Sequence, residues 1–406
     1  MEQAKDPQED ADPALHGLVV LDVSRVLAGP YCSMMLADLG ADVIKIERPP
    51  SGDDTRSWGP PYLGDPAQGL SAYFLSVNRG KRSVCLDLKR PAGHDLFVRL
   101  VQQADVLIEN FAPGVADRLG LGTPEIVAAN SRIIHCSITG FGDQAGPAYD
   151  LVIQGMSGLM SITGAADGPP MKVGVAITDV IAGLQASNAI LAAVVARQRT
   201  GHGDRISIGL LSSAVASLVN IGQAYLVSGT PPRRWENAHP QIAPYQVFAS
   251  SDGHFTVAAG NDKLFANLCR VIGRADLPTD ARFATNPQRI ANRQELISAL
   301  ERVFATKCTS EWLGALRAAS VPSGPVSGLR ELFDTAQLPG GIELLCLETS
   351  SGLEYKTVGS AARMAGRCRK PTGAPLVGEH TDEVLRKLVG CETGELEQLR
   401  QDGAIQ

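Results

Sequence analysis

In the first third of the chain, apolar positions fall in short unbroken runs separated by longer amphipathic stretches. Residues 17–23 (GLVVLDV) are too few for a helix and rich in Val and Leu, the pattern of a strand buried on both faces. Pro30 near the start and Gly40 at the end bracket a helix over residues 28–40. Residues 41–47 (ADVIKIE) supply the next strand and close a right-handed β-α-β unit. The alternation continues with a strand at 82–88, a helix at 91–104 opened by Pro91, a strand at 105–110, a short helix at 124–130 and a strand at 132–140. The pattern predicts an α/β fold, a doubly wound nucleotide-type sheet whose ligands bind beyond the carboxyl ends of its strands.

Further along the period changes. Residues 173–203 are almost all apolar or small, with one carboxylate, Asp179, near their start. A helix is expected over 214–234, ending in a Gly-Thr-Pro-Pro break that reads as a linker. Residues 243–262 predict a β-hairpin about Ser251-Asp252-Gly253, and helices are expected at 263–272, 292–305 and 310–319. The predicted organisation is a disordered lead-in (1–15), the first part of a large α/β domain (16–213), a linker (214–234), a small α+β domain (235–325), and a return linker with the C-terminal part of the large domain (326–406).

Composition narrows the function. The 406 residues are 44% hydrophobic and 20% charged with a net charge of -6, ordinary globular values that argue against nucleic acid as a partner. No run has the twenty or so uninterrupted apolar residues of a membrane span, so no membrane partner is expected. Residues 78–90 concentrate cations that would suit a small polyanion, although a solvated charged loop is the plainer reading of Arg79 to Arg82. The acidic, proline-bearing N-terminus is unlike a secretory or transit signal, so the expected location is cytoplasmic; a mitochondrial matrix protein with its presequence removed stays open. Eight cysteines without a Cys-x-x-Cys pair suggest reduced, mostly buried thiols, and seven scattered histidines predict no metal site. One glycine follows the first strand where a dinucleotide fold has Gly-x-Gly-x-x-Gly, and no phosphate-binding Gly-x-x-x-x-Gly-Lys is present, so neither NAD nor ATP is expected as a bound cofactor.

Six separated motifs then carry a resemblance: LDVSRVLAGPYCSMMLADLGADVIKIERP, GDDTRSWGPPY, SVNRGKRSVCLDLK, ADVLIENFAPGVADRLGLG, GVAITDVIAGLQASNAILAAVVARQRTGHG and IAPYQVFASSDGHFTVAAGND. In this order they resemble family III CoA-transferases (the CaiB/BaiF and formyl-CoA transferase group), a family that also contains α-methylacyl-CoA racemases. The wording is most similar to the branch that moves CoA between succinyl-CoA and a dicarboxylate such as glutarate. The resemblance implies an interlocked homodimer, coenzyme A or acyl-CoA as substrate with no permanently bound cofactor, and a covalent mechanism. The family's nucleophile is the aspartate of a Gly-x-x-x-x-Asp-x-x-x-Gly pattern, here Asp179. The chemistry suits it: a carboxylate that attacks a thioester parks the acyl group without water or ATP. An aspartate before an apolar run also caps helices, so that role stands beside the catalytic one.

For coenzyme A the resemblance implies Leu27 and Ala28 after the first strand, Arg48 after the second, Leu86 and Lys89 after the third, Asn110, Phe111, Ala112 and Arg118 after the fourth, and Tyr149 after the fifth. Any of these cations also reads as a solvated surface residue, and Phe111 as core packing. Tyr149 occupies the place where the racemase branch has a proton-transferring histidine, which favours transfer over racemisation; a half-buried loop tyrosine is the plain alternative. Arg233, Arg234 and His239 are candidates to clamp the distal carboxylate of the acceptor acid, and a surface role for one arginine is equally open. Gly260 is either a mobile glycine near the reacting group or part of a plain turn. The leading function is therefore CoA transfer to a small carboxylic or dicarboxylic acid, with a racemase or epimerase on the same scaffold and a non-catalytic CoA-binding protein as alternatives.

Overall fold

The computed structural model describes residues 12–144, 146, 148–335, 338–362, 364 and 370–406. The chain runs through β1 (Val19–Asp22), α1 (Ala28–Asp38), β2 (Asp42–Glu47), α2 (Ala72–Val77), β3 (Lys81–Cys85), α3 (Pro91–Gln103), β4 (Val106–Glu109), α4 (Val115–Arg118), α5 (Thr123–Ala129) and β5 (Ile134–Thr139). It continues with α6 (Asp150–Met156), α7 (Leu159–Ile162), α8 (Ile177–Thr200), β6 (Asp204–Gly209), α9 (Leu210–Ala216) and α10 (Val219–Ser228). Next come β7 (Tyr245–Ala249), β8 (His254–Ala258), α11 (Asp262–Val271), α12 (Asn286–Ala291), α13 (Arg293–Phe304), α14 (Thr309–Ala318), β9 (Ser323–Pro325) and α15 (Leu329–Phe333). The last elements are β10 (Leu344–Glu348), β11 (Glu354–Val358), α16 (Thr381–Val389) and α17 (Thr393–Gln401). These residues form two compact units: a larger one up to Met160 with Lys172–Thr230 and Ile342–Gln406, and a smaller one from Ser161–Met171 and Pro231–Gly341.

The larger unit is built on a six-stranded parallel sheet in the order β3-β2-β1-β4-β5-β6. Strand alternation divides its core in two. Val20, in register with Val43 and Val106, faces Cys32 and Leu36 of α1, Ala182, Ala186 and Ile190 of α8, and Ala214 of α9. One residue on, Leu21, in register with Ile44 and Leu107, faces Leu96 and Leu100 of α3, Ile126 of α5, and Leu385 and Leu399 of α16 and α17. With both faces covered, the strands read as apolar runs, as the sequence led us to expect. The strand order reverses between β1 and β4, and a ligand crevice opens there.

Against the expectation of a solvated loop, the basic run after α2 is buried. Arg79 is 3% exposed and makes a two-pronged pair with Asp38 at 3.1 and 2.6 Å. Lys81 is 1% exposed and bonded to Asp22. Asp38 of α1 and Asp22 of β1 supply the carboxylates that let Arg79, just before β3, and Lys81, at its start, enter the core as ion pairs. The edge strand β6 and the hairpin β10–β11 were not legible. In β6 polar and apolar residues alternate over six positions, too short and too charged to stand out.

Helix α8 has the length of a bilayer span, 24 residues, with a mean hydropathy of 1.6 over its most apolar 18-residue stretch. Its small side packs on α1: a Cβ at Gly183 would lie 2.7 Å from the Ala28 carbonyl oxygen, so only glycine allows this approach. Leu184 and Val195 on its other side are exposed. The smaller unit packs the hairpin β7–β8 on α13 and α14 through Phe248, Phe255, Phe304 and Trp312, with ring centroids 4.9–5.3 Å apart. Those edge-on and tilted contacts are favourable aromatic geometries.

Candidate active site

The crevice between β1 and β4 is organised from beneath by buried charges. Asp22, at the end of β1, accepts from Ser24 N (3.0 Å), from the Ser24 and Ser33 hydroxyls, and from Lys81 Nζ (3.0 Å). Burial alone would raise its carboxyl; Lys81 and Lys45 hold it down to about 2 instead. Lys45 donates to the Ser24 carbonyl oxygen (2.9 Å) and pairs with Asp53 (2.9 Å), both side chains being essentially inaccessible. Asp53 in turn accepts from Val26 N at 3.3 Å. Val26 has φ 74, a left-handed conformation costly for a β-branched residue, so the ion pairs hold the loop after β1 in a shape it would not adopt freely. The Asn110 side chain ties this loop to the end of β4, accepting from Arg25 N (2.9 Å) and donating to Arg25 O (2.7 Å).

Asp179 is the third residue of α8, half-buried, and its carboxylate makes no hydrogen bond among the described residues. It does not cap the helix: Ala176 stands at the N-cap. The capping bonds come from α6, where Asp150 Oδ1 accepts from Thr178 N (2.9 Å) and Thr178 Oγ1 (2.7 Å). Gln154, one turn later and fully buried, donates to Asp150 Oδ2 (2.8 Å) and accepts from Val173 N (2.8 Å). Burial, then the neighbouring Asp150 charge, push the Asp179 carboxyl up to about 7. The Tyr73 hydroxyl is pushed up to about 12, by burial first and then by Asp179 and Asp150, and stays protonated at neutral pH. Its ring meets Trp58 edge-on at 5.3 Å. Gln154 and Tyr73 were not singled out in the sequence. The Asp150-x-x-x-Gln154 spacing, two polar groups on one helix face beside apolar residues, was the signal available for the first.

Two cavities adjoin along the carboxyl ends of the strands. One, of about 250 Å³, is lined by Asp179 together with Val26, Ala28, Asn110, Phe111, Ala112 and Tyr149. The other, of about 260 Å³ and mostly apolar, is lined by Arg48, Leu86, Lys89, Phe111, Val115 and Leu119. Arg25 and Phe111 belong to both, so the structure gathers eight of the ten residues implied for coenzyme A along one path ending at Asp179. Leu27 and Arg118 line neither; Leu27 is the N-cap of α1 and Arg118 is an exposed residue at the end of α4. Phe111 both lines the path and packs on the core beneath, so its two readings coexist. Arg48 is 2.6 Å from Asp54, which also pairs with Arg25 at 2.8 Å, leaving one net positive charge on the triplet. Tyr149 is not half-buried but 66% exposed, at the N-cap of α6.

In the smaller unit the acceptor candidates separate. Arg234 is committed to structure: it donates to the carbonyl oxygens of Ala165 (2.8 Å) and Gly168 (2.5 Å), fastening residues 161–171 to this unit. Arg233 is exposed and stacks on Trp235, 3.9 Å from the ring centroid. The His239 ring is tilted against Tyr245 at 5.3 Å. Gly260 precedes the N-cap of α11, where Asn261 Oδ1 accepts from Leu264 N, so the turn reading accounts for this segment.

Comparisons with known proteins agree with this geometry. The profile of CoA-transferase family III matches residues 15–381. The succinyl-CoA:glutarate CoA-transferase of Mus musculus is 41% identical, covering 98% of this chain and 92% of the relative. The succinate–glutarate CoA-transferase of Agrobacterium fabrum is 42% identical, covering 94% and 97%. Among solved structures, a CaiB/BaiF family protein from Brucella suis superposes with a TM-score of 0.80 at 40% identity, over 93% of this chain and all of that one. A chain with this sheet order, a carboxylate at the end of its crevice and these relatives is an enzyme of CoA transfer, and it belongs to CoA-transferase family III.

Proposed function

We propose that the protein moves CoA from succinyl-CoA to a dicarboxylic acid of the glutarate class, with Asp179 as covalent nucleophile. The observation that carries this is a half-buried carboxylate without hydrogen bonds among the described residues, facing a cavity continuous with the residues implied for coenzyme A. An Asp179 oxygen attacks the thioester carbonyl, the C–S bond breaks, and CoA thiolate leaves an aspartyl–succinyl anhydride. The thiolate then attacks the aspartyl carbonyl and expels succinate, giving an aspartyl-CoA thioester. The acceptor carboxylate attacks that thioester, and returning thiolate takes the acceptor's acyl carbon and frees Asp179. A carboxyl raised to about 7 is more basic than an ordinary aspartate and so a stronger nucleophile once ionised. Ala28, Ile138, Ala148 and Leu210, the apolar part of the lining beside Asp179, limit the water available to hydrolyse the anhydride.

Coenzyme A in this reading lays its adenosine in the cavity between Arg48 and Phe111, its phosphates toward Lys89, Arg48 and Arg118, and its pantetheine arm past Phe111 to Asp179. Leu151, Met156, Val195, Tyr225, Leu226 and Val227 are all exposed on α6, α8 and α10, an apolar area that supports a homodimer. Light scattering should give twice the 42.8 kDa chain mass; a monomer refutes that part. The functional reading is tested with succinyl-CoA and a panel of acceptors (glutarate, malate, itaconate, oxalate, carnitine), the acyl-CoA products read by mass spectrometry. Glutarate should be among the best acceptors, and succinyl-CoA hydrolysis without transfer to any of them would refute it.

A further inference from the structure

The loop after β1 carries a guanidinium that belongs to both cavities of the larger unit. Arg25 lines the cavity that ends at Asp179 and also the apolar one beside Arg48 and Lys89. Its main chain is fixed, because its N and O are both bonded to the Asn110 side chain, at 2.9 and 2.7 Å. Its side chain is 42% exposed and donates once, through Nη1 to Asp54 Oδ2 at 2.8 Å. The guanidinium makes no other hydrogen bond among the described residues.

Asp54 is shared between two arginines. Its Oδ1 accepts from Arg48 Nη2 at 2.6 Å, and Arg48 Nε is tethered again by the Ser51 hydroxyl at 3.3 Å. The preceding residue shows the contrast. Asp53 is inaccessible and paired with Lys45, bracing the loop from below, whereas the Asp54 side chain is 32% exposed and pairs with Arg25 and Arg48. Each guanidinium has a fork of N–H donors, so this sharing leaves most of the donors of both unspent. Exposed ion pairs add little stability by themselves. Their effect on binding is larger, since two forks already held in place lose less freedom when an anion arrives.

The distribution of charge identifies the anion. In the cavity that ends at Asp179, Arg25 is the one cation among the described lining residues, and Asp54 and Asp179 disfavour an anionic group further in. Cations gather in the adjoining cavity, where Arg25, Arg48 and Lys89 face a single carboxylate, Asp87. In coenzyme A the diphosphate bridge joins the adenosine to the pantetheine arm, and Arg25 joins the two cavities assigned to those parts. We propose that Arg25 and Arg48 clamp the diphosphate bridge of coenzyme A, and that Asp54 is a positioning residue that holds both guanidinium forks for it. The assignment rests on the coenzyme placement proposed above and adds Arg25 and Asp54 to it.

Comparing kcat/KM for succinyl-CoA, succinyl-dephospho-CoA and succinylpantetheine separates the phosphates. Dephospho-CoA lacks the 3′-phosphate and keeps the bridge, whereas pantetheine lacks both. Arg25→Gln, at a partly exposed side chain, should lower kcat/KM about tenfold for both donors that carry the bridge and leave succinylpantetheine within about twofold. Arg25→Lys, which keeps the charge and loses the fork, should fall between the Gln variant and the parent. Asp54→Asn keeps the size of the side chain and gives the triplet one more net positive charge. It should nevertheless lower kcat/KM for the same two donors about threefold or more, because the forks are no longer held. An Asp54→Asn enzyme that uses succinyl-CoA better than the parent would show that Asp54 only cancels charge, and would overturn its positioning role. An equal loss with succinylpantetheine, a loss confined to succinyl-CoA, or no loss in Arg25→Gln overturns the clamp. Calorimetric titration with free CoA reads the same site without turnover: adding Arg25→Gln to Asp179→Ala should weaken CoA binding about tenfold. That result decides the clamp even if Asp179→Ala proves active and the covalent step is refuted.

Discussion

Replacing Asp179 by asparagine should abolish transfer and at the same time stabilise the fold. The side chains are nearly isosteric, so the change removes a charge and leaves packing alone. Lifting this carboxyl from 3.8 to about 7 sets a ceiling of about 4 kcal/mol on the cost of holding it ionised, at about 1.4 kcal/mol per pH unit. Half-burial and solvent screening bring that to about 1–3 kcal/mol. The sign follows from proton linkage: between pH 3.8 and about 7 the folded chain binds more protons here than the unfolded chain, so the parent protein loses stability as pH rises through that window. The variant lacks the group and escapes the loss. Calorimetry should therefore find the Asp179→Asn melting temperature higher than the parent's by about 2–6 °C at pH 8, with well under half that gap near pH 5, taking about 2 °C per kcal/mol for a unit of this size. A gap of the same size at both pH values, or a less stable variant at pH 8, would refute the claim that this carboxylate is held at a cost. Parent activity should rise with pH through about 7, as the nucleophile ionises.

Other consequences concern the supports of the site. Neutralising Lys89 or Arg118, both exposed and without side-chain partners among the described residues, should raise KM for acyl-CoA about three- to tenfold with kcat preserved, as lost uniform binding requires; a fall in kcat at unchanged KM would argue against phosphate contacts. Lys45→Met leaves Asp53 buried and unpaired and should cost about 3–5 kcal/mol in urea denaturation; a cost under about 1 kcal/mol would mean that the network does not brace the loop at Val26.

The parallel sheet was legible because strands covered on both faces are apolar throughout, and the glycine and proline punctuation between them survives in any such fold. Most of the lining of the two adjoining cavities was legible too, since a doubly wound topology sends every strand end to one edge, whatever lies between Arg48, Leu86 and Asn110 in the chain. Charge context was harder to read. Arg79 and Lys81 look like surface cations until α1 supplies Asp38 and β1 supplies Asp22, partners more than forty positions away in sequence. The same reason hid the packing around Trp235: Arg293 stands sixty positions after Arg233, and only the fold of the smaller unit puts both on one indole ring. Arg234 looked equivalent to Arg233 in sequence, but its guanidinium fits the carbonyl oxygens of residues 165–168. The capping of α8 by Asp150 escaped notice because it is made from another helix, across 28 residues.

In the proposed mechanism Asp179 becomes covalently joined to coenzyme A. Incubating the protein with succinyl-CoA without an acceptor, quenching in acid and weighing the intact chain gives the most direct answer. We expect a species heavier by CoA less one water, located on the tryptic peptide 173–197, discharged by glutarate and by hydroxylamine, and missing from Asp179→Ala. If the parent enzyme turns over with no such adduct, or carries it on another peptide, Asp179 is not the nucleophile.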